Sequence, residues 1–178
     1  MKIAVIGLGF VGLSLASVLS ASGIKVIGID INKEKCKKIS HGIAPFFEKD
    51  LEKTLQSGLK KQLEISHEVS MIKTCDYIFV TVGTPQRSDG SIELSMIKKV
   101  VNVIGNNLNN TNKNQIIFIK STVIPGTIKN TLLPILERKS GKKAGKDFGL
   151  ISNPEFLQES SAIRDTKFPH AIVLGGYK

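Results

Sequence analysis

The fold is decided by the stretch KIAVIGLGFVG, residues Lys2 to Gly12, in which a short apolar run leads directly into three glycines spaced G-x-G-x-x-G. Apolar residues then recur at helical spacing, and a second apolar run, Lys25–Ile29, closes on Asp30. Strand, glycine turn, helix, strand and terminal acid, in this order, are the parts of a dinucleotide-binding βαβ unit. These residues therefore predict a dinucleotide site at the carboxyl end of the first strand.

Each glycine of this motif has a separate mechanical role. Gly7 permits a tight turn, Gly9 lets the backbone approach a pyrophosphate, and Gly12 allows close packing of the helix. The N-terminus of that helix offers unpaired N–H groups and a partial positive charge to the phosphates. Asp30 would accept hydrogen bonds from ribose hydroxyls and repel a 2′-phosphate, so NAD is expected rather than NADP. The alternative is that the glycines serve an ordinary turn.

Length and composition favour one soluble α/β unit. The chain has 178 residues, 41% of them hydrophobic, and 16 glycines, which is enough for one good core. No apolar run approaches the length of a membrane span, and the N-terminus is itself an apparent strand rather than a signal peptide. We expect a single domain over residues 1–178, a cytoplasmic location and no membrane contact.

The formal net charge of +10 raises the possibility of a nucleic-acid partner. The lysines of residues 33–38 share their helix with Glu34, and a second basic cluster, residues 138–146, surrounds Gly141 and Gly145. Neither cluster has interleaved aromatic residues or a DNA-binding motif. A solvated lysine surface is the better interpretation, so no nucleic-acid partner is expected.

Cysteines and histidines give no sign of a metal site or a disulfide. Cys36 and Cys75 are far apart and form no CxxC pair, and disulfides are rare in the expected compartment. The three histidines lack the spacing of metal ligands. Both cysteines are interpreted as structural, and no metal is expected.

Strands and helices alternate along the whole chain, which predicts a doubly wound, mainly parallel sheet of the Rossmann type with helices on both faces. After Asp30 the apolar runs predict strands at Leu63–Ile65, Asp76–Val82, Gln115–Ile119, Phe148–Ile151 and Ala171–Leu174. Helices are predicted at 33–40, from 48 or 50 to 56, at 68–73, at 94–107 and, capped by Thr127, at 127–139.

Polar residues follow three of the predicted strands, where ligands bind in a sheet of this type. They are Gly83-Thr84-Pro85, then Ser121 and Thr122, then Asn153, Glu155 and Glu159. Glu155 and Glu159 are four residues apart, so a helical turn would place both on one face, where they could share proton transfer or hold sugar hydroxyls. The alternatives are ordinary caps and turns, and a surface helix with an acid in its first turn.

The sequence resembles the nucleotide-sugar dehydrogenase family, that of UDP-glucose and GDP-mannose dehydrogenases, over its whole length. The motifs that carry the resemblance are Gly7–Leu13, Val82–Pro85 with Asp89-Gly90, Ser121–Thr127, and Asn153–Glu159. The last of these stretches is most similar to the UDP-glucose 6-dehydrogenase branch. Glu48–Leu51 departs from the family, because a proline and a glycine are expected after the acid.

The resemblance implies an oxidation of the sugar C6 alcohol to a carboxylate with two NAD⁺, through a thioester on a cysteine. It implies catalytic roles for Glu155, as the base or the water-orienting group in thioester hydrolysis, and for Thr122. It also implies a sugar pocket at Glu155, Phe156, Leu157 and Glu159. The cofactor-binding residues that it implies are Gly7, Gly9, Phe10, Val11, Gly12, Asp30, Lys35, Gly83, Thr84, Thr122 and Glu159.

The resemblance also implies that the chain is the N-terminal NAD-binding part of a longer, homodimeric enzyme. The nucleophilic cysteine, a central dimerising helix and a UDP-binding domain would lie beyond residue 178, and the chain alone would be inactive. UDP-glucose is the expected substrate. The alternatives are another nucleotide sugar, such as GDP-mannose or a UDP-N-acetylhexosamine, and a non-catalytic module that senses NAD.

Overall fold

A computed structural model describes residues 1–111 and 113–176 of the chain. Strands and helices alternate as predicted, and a 3-10 helix (Val69–Thr74) and a π-helical turn (Ile128–Leu132) supplement them. The elements are β1 (Lys2–Ile6), α1 (Phe10–Ala21), β2 (Lys25–Ile29), α2 (Lys33–Ser40), α3 (Leu51–Lys61), β3 (Leu63–Ser66), β4 (Tyr77–Val80), α4 (Ser95–Leu108), β5 (Ile116–Ile119), α5 (Leu133–Ser140), β6 (Gly149–Ser152), α6 (Ala162–Lys167) and β7 (Gly175–Gly176).

The strands form one seven-stranded sheet in the order β3-β2-β1-β4-β5-β6-β7. The first six strands are parallel and only β7 runs antiparallel. Strand β1 pairs with β2 on one side and with β4 on the other. The strand order therefore reverses at β1, and the helices that follow β1 and β4 lie on opposite faces of the sheet. This confirms the doubly wound Rossmann-type fold and brings the carboxyl ends of the parallel strands to one edge.

Helices cover both faces of the sheet. On one face, α1 and α3 bury Leu13, Ala16 and Leu55. On the other, α4 and α5 bury Ile97, Val101 and other apolar side chains against the central strands. The central strands β1 and β2 are buried on both sides, and β4 and β5 are buried or half-buried along their length. This burial explains why they read as nearly continuous apolar runs.

The predicted last strand was wrong. Residues 171–174 form no regular element and are exposed, whereas Gly175 and Gly176 pair with Ser152 and Ile151 of β6. An apolar run alone does not distinguish a strand from an irregular segment whose backbone N–H and C=O groups bond to side chains instead of to a neighbouring strand. Here the carbonyl of Val173 accepts a hydrogen bond from the Asn153 side chain, 3.0 Å away.

The helical turn considered for Glu155 and Glu159 does not form. Residues 153–158 have no regular structure, and the following helix begins only at Ala162. Thr127 does precede a helical region, but its side chain makes no capping bond. None of the helices within residues 1–111 and 113–176 combines the length and apolarity needed to cross a bilayer.

Candidate cofactor and substrate site

The glycine turn has the geometry of a phosphate cradle. Gly7 has a φ of +98°, which only glycine adopts without strain. A Cβ on Gly12 would lie 1.9 Å from the Gly7 carbonyl oxygen, so Gly12 is what lets α1 approach the end of β1. A Cβ on Gly9 would meet no atom within 4 Å. Protein atoms therefore fill the space beside Gly12, whereas the space beside Gly9 is free for a ligand. Gly9 also adjoins the N-terminus of α1, which no side chain caps in the described structure.

A hydroxyl that the sequence analysis missed supports this turn from β4. The Oγ1 of Thr81 lies 2.7 Å from the Gly7 carbonyl oxygen and 3.0 Å from that of Ile6. Thr81 is buried, directly after β4, and it also limits the space beside Gly12. The only sequence signal for it was a hydroxyl inside an otherwise apolar run.

Asp30 ends β2 and is almost fully buried. Its carboxylate accepts the Leu8 N–H of the glycine turn at 2.9 Å and the Asn32 N–H at 3.0 Å, and it pairs with Lys35 Nζ at 2.7 Å. Burial alone would raise the pKa of Asp30, but hydrogen bonds from Lys35, Asn32 and Leu8 outweigh it, and the pKa lies below its ordinary value. Asp30 is thus an anion held beside the glycine turn, in the place predicted for a ribose-binding acid.

The ends of β4 and β5 are tied together by two hydroxyl groups. Thr84 Oγ1 donates to the Thr122 carbonyl at 2.7 Å, and Ser121 Oγ donates to the Val82 carbonyl at 2.6 Å. The side chain of Thr122 and the backbone of Gly83 are exposed at this edge. The structure therefore brings these predicted residues together, with the Thr122 hydroxyl facing solvent rather than the core.

The segment after β6 forms one wall of a cavity of about 700 Å³, whose opposite wall is α1. Among the predicted site residues, Val11, Glu155, Phe156 and Leu157 line it. Glu155 Oε2 accepts the Leu157 N–H at 2.7 Å, which fixes the carboxylate over its own turn. Glu159 is exposed and does not line this cavity.

Lys120, a residue that the sequence analysis did not select, also lines this cavity. It follows β5 directly, and its Nζ lies 3.2 Å from Asn153 Oδ1. Burial lowers the pKa of the Lys120 ammonium, and the charge of Glu155 offsets part of that effect. The cavity is thus lined by a cation and a carboxylate whose charges interact, an arrangement suited to a polar, hydroxyl-bearing ligand.

Arg164, Asp165 and His170 also line the cavity, whereas the two cysteines do not. Cys36 and Cys75 are free and buried, and neither lines the cavity beside Glu155. Within the described residues no group of three or more His, Cys, Asp or Glu side chains could hold a metal ion.

Comparison with known proteins gives a consistent set of matches. Residues 1–178 match the family model described as the UDP-glucose/GDP-mannose dehydrogenase family, NAD binding domain. The GDP-mannose 6-dehydrogenase of Pseudomonas syringae is 43% identical over 99% of this chain and 41% of its own length. The UDP-glucose 6-dehydrogenase of Haloferax volcanii is 31% identical over 98% of this chain and 41% of its own length.

The same relationship appears among solved structures. A ternary complex of GDP-mannose dehydrogenase from Pseudomonas aeruginosa superposes with a TM-score of 0.97 at 40% identity, over 99% of this chain and 41% of that one. The chain therefore spans about two fifths of the length of these relatives.

Proposed function

Because the chain belongs to the UDP-glucose/GDP-mannose dehydrogenase family, whose NAD-binding domain it matches over residues 1–178, we propose that it is the NAD-binding part of a longer nucleotide-sugar 6-dehydrogenase. The observation that carries the proposal is the presence of two distinct features at one edge of the sheet. One is a glycine turn whose Leu8 N–H bonds a buried acid, Asp30, and which would receive the dinucleotide; the other is a separate cavity lined by Glu155.

The residues of the cradle fit NAD. The backbone of Gly9 is open to a pyrophosphate, and the Asp30 carboxylate keeps acceptor capacity for a ribose hydroxyl beyond its contacts with Leu8, Asn32 and Lys35. Thr84 and Thr122 would stand on the nicotinamide side. When bound, NAD accepts a hydride from C6 of the sugar; the chain's own residues bind and orient the two reactants.

Glu155 would act in the hydrolysis that ends the reaction. A water oxygen attacks the carbonyl carbon of a thioester between the sugar C6 and a cysteine outside this chain, and Glu155 takes the proton that the water loses. The C–S bond breaks and the cysteine leaves as a thiolate. The sugar acid that is released then loses its remaining proton to solvent and becomes a carboxylate. General-base assistance of this kind contributes roughly 10²–10⁴-fold.

For the substrate we propose GDP-mannose, supported by identities of 43% to an enzyme of that name and 31% to a UDP-glucose 6-dehydrogenase. UDP-glucose, which the Asn153–Glu159 motif favoured, is the second candidate. The base-recognising residues implied by the family lie outside the chain, so the two substrates must be compared directly.

The test measures NADH formation by the complete polypeptide that carries this chain, with GDP-mannose, UDP-glucose and UDP-N-acetylmannosamine in parallel. We expect two NADH per sugar, with the highest kcat/KM for GDP-mannose. Tight NAD binding by the complete polypeptide without oxidation of any of the three sugars would refute the proposal in favour of an NAD-sensing module.

A further inference from the structure

Glu48 makes a buried contact that neither the cofactor cradle nor the cavity accounts for. It lies in the loop between α2 and α3, and its exposed fraction is 6%. Its Oε2 accepts the N–H of Ser160 at 2.9 Å, and its Oε1 accepts the N–H of Ala162 at 3.1 Å. One carboxylate therefore holds two backbone groups that are more than a hundred residues away in sequence.

The segment held in this way carries the predicted sugar-site residues. The Asn153 N–H still bonds the Ile119 carbonyl of β5. Residues 154–158, which include Glu155 and Leu157, have no regular structure, and carboxylates rather than a strand or helix accept the N–H groups of Leu157 and Gln158. Ser160 has a φ of 71°, a left-handed conformation that is unfavourable for a non-glycine residue and persists only when its surroundings impose it. The bonds that the buried carboxylate accepts from Ser160 itself and from Ala162, two residues later, can impose it.

The loop that carries Glu48 also contacts the cofactor turn. The ring of Phe46 lies 5.9 Å from that of Phe10, which begins α1 directly after Gly9. Asp50, two residues after Glu48, adopts a left-handed φ of 62°, so the loop turns sharply even though the expected proline and glycine are absent. A single loop therefore touches the glycine turn at one end and the segment after β6 at the other.

We propose that Glu48 is a positioning residue, which fixes the segment bearing Glu155 relative to the cofactor turn so that the sugar and the nicotinamide meet in the right geometry. This inference rests on the proposed function. Misplacement of a reacting group by about 1 Å can cost on the order of 10²-fold in rate. Loss of the two hydrogen bonds that Glu48 accepts can therefore slow catalysis even though Glu48 contacts neither ligand.

The discriminating variant is Glu48→Gln. A glutamine keeps the size of the side chain, but it has one acceptor oxygen, and its amide N–H group would face a backbone N–H. The matched control is Glu52→Gln, which changes an exposed glutamate that, among residues 1–111 and 113–176, accepts only the Ala44 N–H, at 3.3 Å. Glu48→Asp, which keeps the charge but is shorter by one methylene group, serves as the conservative variant.

In the isolated chain we expect Glu48→Gln to speed amide hydrogen exchange at Ser160 and Ala162 by at least tenfold, with NAD affinity changed by less than twofold. In the complete polypeptide we expect kcat/KM for the nucleotide sugar to fall by at least tenfold, with KM for NAD unchanged, Glu48→Asp intermediate and Glu52→Gln like the native protein. Circular dichroism verifies that each variant is folded.

Unchanged exchange at Ser160 and Ala162, or faster exchange with native sugar kinetics, would overturn the role of Glu48. An equal loss of NAD affinity and activity would show a general structural role instead. If Glu48→Gln does not fold, the comparison of Glu48→Asp with Glu52→Gln decides by the same criteria. A native polypeptide that oxidises no nucleotide sugar would refute the proposed function itself, which separates the two failures.

Discussion

Gly9 and Gly12 lie within one turn of the chain, but the structure gives them opposite surroundings. A Cβ on Gly12 would lie 1.9 Å from the Gly7 carbonyl oxygen and 2.5 Å from Thr81 Oγ1. One of these atoms belongs to the backbone, so relief requires β1 and α1 to move apart. We expect Gly12→Ala to lower the free energy of unfolding by about 3 kcal/mol or more, as measured by urea denaturation.

Gly9→Ala should weaken NAD binding without destabilising the fold. A Cβ there meets no protein atom within 4 Å, so the free energy of unfolding should stay within about 1 kcal/mol of the native value. The methyl group would, however, stand where the pyrophosphate must approach the backbone. We expect NAD affinity to fall at least tenfold in a calorimetric titration; native affinity would place the phosphates elsewhere.

Asp30→Ala should weaken NAD binding by about 1–3 kcal/mol, the cost of losing charge-assisted hydrogen bonds to the ribose. Calorimetry with NAD and NADP measures the change, and Asp147→Ala, in the turn before β6, provides a control carboxylate far from the cradle. Unchanged NAD affinity, or a preference for NADP in the native chain, would remove Asp30 from the ribose site.

The same carboxylate should make stability depend on pH. The pKa of Asp30 is lower in the folded chain than its ordinary value, so its contribution is fully present above the unfolded pKa of about 3.9 and is lost as the pH falls through the folded pKa. We expect Asp30→Asn to be less stable than the native chain by about 2 kcal/mol from pH 7 to about pH 5. The difference should shrink below about pH 4. A difference that grows on acidification would contradict this sign.

For single residues, local motifs were predictable from the sequence, but contacts between residues far apart in the chain were not. Gly7, Gly12 and Asp30 belong to one βαβ unit, so spacing alone predicted where the structure places them. Lys120 meets Asn153 across 33 residues, and Glu48 meets Ser160 across 112. Nothing local distinguishes such residues from surface charges, because their environment exists only after the sheet has assembled.

The strands and helices show the same contrast between local patterns, which were predictable, and long-range contacts, which were not. Strands buried on both faces were predicted within one to three residues, because burial imposes a continuous apolar run. The region after β6 was not, since its backbone is held by side chains, Asn153 on Val173 and Glu48 on Ser160, rather than by a periodic pattern. The predicted sugar site lies in this region, the part of the fold that sequence periodicity describes least well.

Taken as a whole molecule, the chain carries the proposed cofactor cradle and one wall of the proposed sugar site, but both of its cysteines are buried. Burial raises the pKa of both the Cys36 and the Cys75 thiol, which leaves little thiolate at neutral pH. We therefore expect no NADH from the chain incubated with NAD and either GDP-mannose or UDP-glucose. Turnover that disappears in Cys36→Ser or Cys75→Ser would overturn this expectation.

The assignment of Glu155 is best tested where the whole reaction takes place, in the complete polypeptide. Glu155→Gln keeps the shape of the side chain and its acceptor oxygen toward the Leu157 N–H, but it removes the ability to take a proton from water. We expect the final hydrolysis to slow by about 10²–10⁴-fold, and the earlier oxidation to change far less.

The enzyme should then release a burst of NADH and stall with the sugar bound to its cysteine as a thioester. Mass spectrometry of the intact protein after mixing with NAD and nucleotide sugar detects this adduct directly, and Glu159→Gln, which changes an exposed carboxylate outside the cavity, is the matched control. Loss of the burst without a trapped adduct would mean that Glu155 positions the sugar, since the first oxidation would then depend on it. Accumulation of the adduct in Glu159→Gln instead would move the base to that residue and require the segment after β6 to rearrange when the sugar binds.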